Sequence, residues 1–122
     1  MKRVLVLALL AGVAGCSGDW ITGGDLIRPG EPTGVITIDN QTSANLTAVL
    51  ISNCSANTYG LNRLPDGASI APGETYSFTV SAGCWDVDVG YGWQTGYAEA
   101  KQRMDVRSYG QTVYTVHDGD GV

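Results

Sequence analysis

The chain has a single histidine, His117, one phenylalanine and four prolines among its 122 residues. No apolar run is longer than residues 4–11, VLVLALLA. Each scarcity removes a class of explanation. One histidine leaves no His and Cys spacing of the kind that holds zinc. It also leaves a nucleophile only one imidazole to activate it, in the last strand-like segment beside a polar tail. No serine stands in a Gly-x-Ser-x-Gly arrangement. The apolar run is too short to cross a bilayer as a helix. Seven Lys and Arg face twelve Asp and Glu, a net charge of −5. That balance repels phosphate backbones and excludes nucleic acid as a partner. No internal repeat, metal cluster or cofactor motif is found, so neither a cofactor nor a metal is expected.

What is present begins at the N-terminus. Lys2 and Arg3 precede the apolar run, and small residues lead to Val13-Ala14-Gly15-Cys16. This is the layout of a secretory signal, and its last four residues look like a bacterial lipobox. In proteins with that motif the cysteine is acylated and becomes the mature N-terminus. Residues 1–15 are therefore read as a lipoprotein signal peptide, and Cys16 as the lipidation site. Loss of Lys2 and Arg3 takes the net charge from −5 to −7. Membrane contact is then expected through the acyl chains and not through charge.

With Cys16 assigned to lipid, Cys54 and Cys84 remain as an even pair in an exported chain, where oxidation is expected. A disulfide closing about 30 residues stabilises a small domain by roughly 3–4 kcal/mol on the chain-entropy estimate. Two free thiols in a catalytic or metal role would need neighbouring ligands that the sequence does not supply.

Residues 17–33 (SGDWITGGDLIRPGEPT) mix Gly, Pro and acidic residues without periodicity. With Cys16 they read as a tether, residues 16–33, that reaches about 50–60 Å when fully extended. Trp20, Ile21, Leu26 and Ile27 are unusual in a spacer, and suggest packing on the domain or at the membrane interface. Residues 34–39 (GVITID) and 45–52 (NLTAVLIS) read as two strands joined as a hairpin, the second apolar enough for burial on both faces. Residues 53–69 form a loop long enough to need a tie, and Cys54 offers one. In residues 70–91, Tyr76, Phe78 and Val80 alternate with polar residues before a Gly-containing corner. Trp85, Val87, Val89 and Tyr91 then alternate with Asp86 and Asp88. Period-two patterning predicts two antiparallel, half-buried strands. Residues 98–107 favour helix by propensity, yet Glu99, Lys101, Arg103, Asp105 and Arg107 all fall on one face of a strand, which decides for strand. Residues 111–117 make the last strand, and residues 118–122 read as a disordered tail. The expectation for residues 34–117 is an all-β domain: a small antiparallel β-sandwich of six or seven strands, Ig-like in architecture, with one disulfide.

Residues 34–116 resemble a kind of small exported bacterial β-sandwich domain, often found in lipoproteins. The resemblance rests on Asp39-Asn40-Gln41-Thr42, Ile51-Ser52, Ile70-Ala71-Pro72-Gly73 and Gly83-Cys84-Trp85-Asp86-Val87. It implies a fold and a location, and carries over no catalytic residue.

Three surface features are weighed for chemistry. Asp86 and Asp88 share a strand face at a separation that suits paired carboxylates in glycoside hydrolysis. The same alternation is what any strand with one core face and one solvated face produces, with Lys101, Arg103 or Arg107 as neighbours on an adjacent strand. Asp118-Gly-Asp-Gly lacks the further ligands of a calcium loop. Tyr91, Trp93 and Tyr97 around a Gly-rich loop, with Tyr59 elsewhere, are the candidate ligand-binding residues, since sugars and protein partners both use such rings. No catalytic residue is assigned. The expected role is a non-enzymatic binding or structural lipoprotein of the cell envelope, at the outer membrane if the source is Gram-negative, because Ser17 follows the cysteine. The rivals are a carbohydrate- or peptidoglycan-binding module, and an inhibitor or assembly factor for an envelope protein.

Overall fold

The computed structural model describes residues 24–56, 58–92 and 98–122. Six strands run in order: β1 Thr33–Gln41, β2 Ala48–Asn53, β3 Thr75–Ser81, β4 Gly83–Tyr91, β5 Ala98–Val106 and β6 Gln111–His117. They form two three-stranded sheets, β3-β1-β6 and β2-β4-β5. Their inner faces pack on each other as a β-sandwich with the disulfide Cys54–Cys84, as the sequence pattern predicts.

The pairing corrects three expectations. Strands β1 and β2 do not form a hairpin, because residues 42–47 carry the chain from one sheet to the other. Asn40 makes that turn possible. Fully buried, it donates through Nδ2 to the carbonyls of Ala44 and Ile70 and accepts at Oδ1 from the Thr42 amide and hydroxyl. Strands β3 and β4 likewise belong to different sheets. Gly83, at φ +139°, turns the chain between them in a conformation that L side chains rarely adopt. Finally, the sandwich is not wholly antiparallel, since β1 pairs antiparallel with β3 and parallel with β6, Ile38 opposite Tyr114.

The core follows from the alternation. Ile36 and Ile38 of β1, Val80 of β3 and Val116 of β6 face Val49, Ile51, Trp85, Val87 and Val89 of the other sheet, all without solvent exposure. Each such aliphatic side chain contributes about 1.5–3 kcal/mol by leaving water. Trp85 is satisfied at its polar end, with Nε1–H donating to the Ser81 carbonyl at 2.8 Å. Strand β2 is buried on both faces as its apolar run predicts, apart from half-buried Asn53. Residues 98–106 are strand, so alternation outweighs helix propensity there.

Two segments read as slack are attached. Residues 24–32 of the expected tether lie along the domain: Leu26 and Pro32 accept from the amides of Ser81 and Ala82, at 2.7 and 2.9 Å. The Arg28 guanidinium sits 5.4 Å from the Trp85 ring centre. At the other terminus Asp118 accepts from the amide and hydroxyl of Ser43, Asp120 from the His117 amide, and Val122 packs on the core. The tail folds back instead of fraying.

Candidate functional site

The outer face of β2-β4-β5 carries most of the ionisable groups expected to matter. Register places Asp86 opposite Arg103, Asp88 opposite Lys101 and Gly90 opposite Glu99. Arg103 donates to both oxygens of Asp86, at 2.8 and 3.1 Å. Glu99 binds Lys101 at 3.0 Å, and the Lys101 ammonium lies 5.2 Å from the centre of the Tyr59 ring.

Asp88 departs from the solvated face expected for it. Only 3 % of it is exposed, and its Oδ1 has no hydrogen-bond partner among the described residues. Its neighbour on β2, Leu50, is buried too, because the loop after β2 bridges to that strand at Asn62. Gly90 brings no side chain to the outer face, so Glu99 reaches along β4 to hydrogen-bond with Asp88. Burial first, then that hydrogen bond and the Glu99 charge, push the Asp88 carboxyl up to about 7, against an opposing pull from Lys101. Glu99 is held below its usual range by the hydrogen bonds from Asp88 and Lys101. Burial thus favours the proton on Asp88 and leaves the charge on the more exposed Glu99. Asp86 and Asp88 do not form a free pair aimed at a common cleft, because Asp86 is bound by Arg103 and Asp88 is covered.

A concavity lies between the free edges of β5 and β6. This slot of about 470 Å³ is lined by Lys101, Gln102, Met104, Thr112, Tyr114 and Asp120. Gln102 belongs to the core-facing row of β5 between buried Ala100 and Met104, yet it is exposed. The Asp105 backbone carbonyl accepts from the Thr112 hydroxyl across the gap.

Tyr91 closes the core-facing row of β4 and packs half-buried against the core. Trp93 and Tyr97 lie outside the described residues, as does Cys16. Tyr91 is thus separated by orientation from the outward groups, whereas Tyr59 is brought to them. Asp118 and Asp120 each commit an oxygen to a backbone amide, and no cluster of three or more metal-ligating side chains occurs among the described residues. Reading by strand face missed the Asp88–Glu99 pair. Its signal was Gly90 in the outward row after Asp86 and Asp88, which leaves room for a long acid from the next strand.

Neither a family model nor a curated protein matches this chain.

Proposed function

We propose that this protein is a bacterial envelope lipoprotein, acylated at Cys16, whose disulfide-closed β-sandwich serves as a non-enzymatic binding or structural module. In a Gram-negative source the outer membrane is its location. The observation that carries this reading is Val13-Ala14-Gly15-Cys16 directly after a basic start and a short apolar run. The Cys54–Cys84 bridge supports it, since disulfides persist in oxidising compartments. The test is intact-mass analysis of the protein from membrane and soluble fractions of its host. The expected mature species begins at Cys16, carries acyl mass and gains two protons on reduction. A soluble product without acyl mass overturns the reading.

A carbohydrate-binding role is the second reading. Its support is the aromatic content of residues 91–97 together with the ring of Tyr59 beside Lys101. Under it, Trp93→Ala abolishes retention on peptidoglycan or glycan resins and leaves the melting temperature unchanged. Retention equal to wild type removes it.

A further inference from the structure

We propose that one end of the sandwich, where Ile27 and Tyr109 stand beside Arg28 and Arg107, is a membrane-contact surface that rests on the lipid headgroup layer. The proposal depends on acylation at Cys16 as argued above, and adds which face of the domain meets the bilayer.

The end is defined by backbone hydrogen bonds. The Tyr109 amide donates to the Thr33 carbonyl at 2.7 Å, and the Ala82 amide to Pro32 at 2.9 Å. The Arg28 amide donates to the Ser81 hydroxyl at 2.7 Å. The start of β1, the β3–β4 corner, the β5–β6 turn and residues 26–32 therefore meet at one place. Among the described residues four large hydrophobic side chains are strongly exposed, and two of them, Tyr109 at 88 % and Ile27 at 52 %, are here. Among the described residues Tyr109 is also the one non-glycine with positive φ, 61°. An amphipathic ring, an aliphatic side chain and arginines form the set that sits comfortably at a headgroup boundary.

The chain itself selects the occupant. Only seven residues separate Cys16 from Gly24, and the eight steps between them reach at most about 29 Å. Gly24 is held by the Arg63 guanidinium at 2.7 Å, beside the later part of β2 that leads to this same end. A nine-residue strand is about 30 Å long, so this end meets the bilayer with a less extended tether than the opposite one. Charge agrees. The opposite end carries Asp39, Glu74, Glu99, Asp118 and Asp120 against Lys101 and His117. The proposed contact end carries Arg28, paired to Glu31 at 2.6 Å, Asp25 facing Arg63, and Arg107 with Asp105 nearby, an almost balanced set. Anionic lipid therefore repels the far end and tolerates the near one.

The experiment uses the full acylated chain in vesicles of phosphatidylethanolamine and phosphatidylglycerol. A benzophenone amino acid replaces Tyr109, Ile27 or, at the far end, exposed Glu74. After irradiation, lipid adducts are measured by mass spectrometry. Adducts at 109 and 27 are expected at least about five-fold above those at 74. Equal yields at the three positions, with acylation confirmed on the same sample, overturn the contact surface and leave the lipoprotein reading intact. A protein adduct in place of lipid at 109 in intact cells also overturns it, and makes this end a protein interface. Absence of acyl mass removes the anchor, and the proposal with it.

Discussion

The sandwich has two open sides, and the chain treats them differently. On the side of β2 and β3, residues 58–74 run along the edge. The Arg63 amide donates to Val49, its guanidinium to Ile51 and Gly24, and Leu46 and Ile70 exchange two backbone bonds of 2.9 Å. Leu64 and Ile70 drop into the core, and Cys54–Cys84 ties the start of the loop to β4. On the side of β5 and β6, a tight turn at one end and the C-terminal tail at the other leave the slot between them. The lesson is that an irregular loop seals a sheet edge when it supplies both backbone partners and core side chains. Two strands joined by a short turn across sheets do neither.

The largest break in that contrast comes from the disulfide. Cys54→Ala with Cys84→Ala is expected to cost about 3–4 kcal/mol in urea denaturation, with amide exchange rising in residues 54–70 and little changed in β5 and β6. Uniform acceleration would show that the two sides are not independent.

Asp88, on the outer face that the sealed side shelters, gives the next effect. Its folded-state carboxyl lies near 7, above its ordinary value of 3.8. The folded protein therefore holds this proton more tightly than the unfolded chain does. Stability from it is complete below about pH 4 and is lost as pH rises through about 7. Asp88→Asn, whose amide replaces the acid as donor to Glu99, is expected to raise stability by about 1–2 kcal/mol at pH 8 and to leave it unchanged at pH 4. An equal effect at both pH values would remove the account of a proton held on buried Asp88. Asp86→Asn is expected to lose under about 1 kcal/mol, since its partner Arg103 is exposed.

Ile70→Val trims the sealed side by one methyl group and is expected to cost about 0.5–1.5 kcal/mol in the same denaturation assay. The smallest effect belongs to the slot. Gln102→Ala is expected to shift stability by less than about 0.5 kcal/mol, although Gln102 occupies a core-facing position. A larger loss would mean that the β5–β6 side is packed as tightly as the other.

Much of this was readable along the chain. Residues 111–117 and 98–106 came out as strands because alternation is a local property. Tyr76, Phe78 and Val80, and then Trp85, Val87 and Val89, face inward as their spacing predicts, though Tyr76 and Phe78 differ in depth. Asp88 was misjudged because period two assigns a face and says nothing of what lies over it. The exposure of Gln102 escaped for the converse reason, since an inward position is buried only if another element covers it.

The amino-acid order by itself determined the all-β class, the inward rows, the two cysteines available to pair and the signal-like N-terminus. Each depends on nearest neighbours or on composition. Tertiary structure alone decided that β1 leaves β2 for β3 and β6, that the long loop seals one side, and that Asp88 is buried beside Glu99. These rest on contacts between distant residues, where backbone partners and burial are settled by which edges remain to be covered.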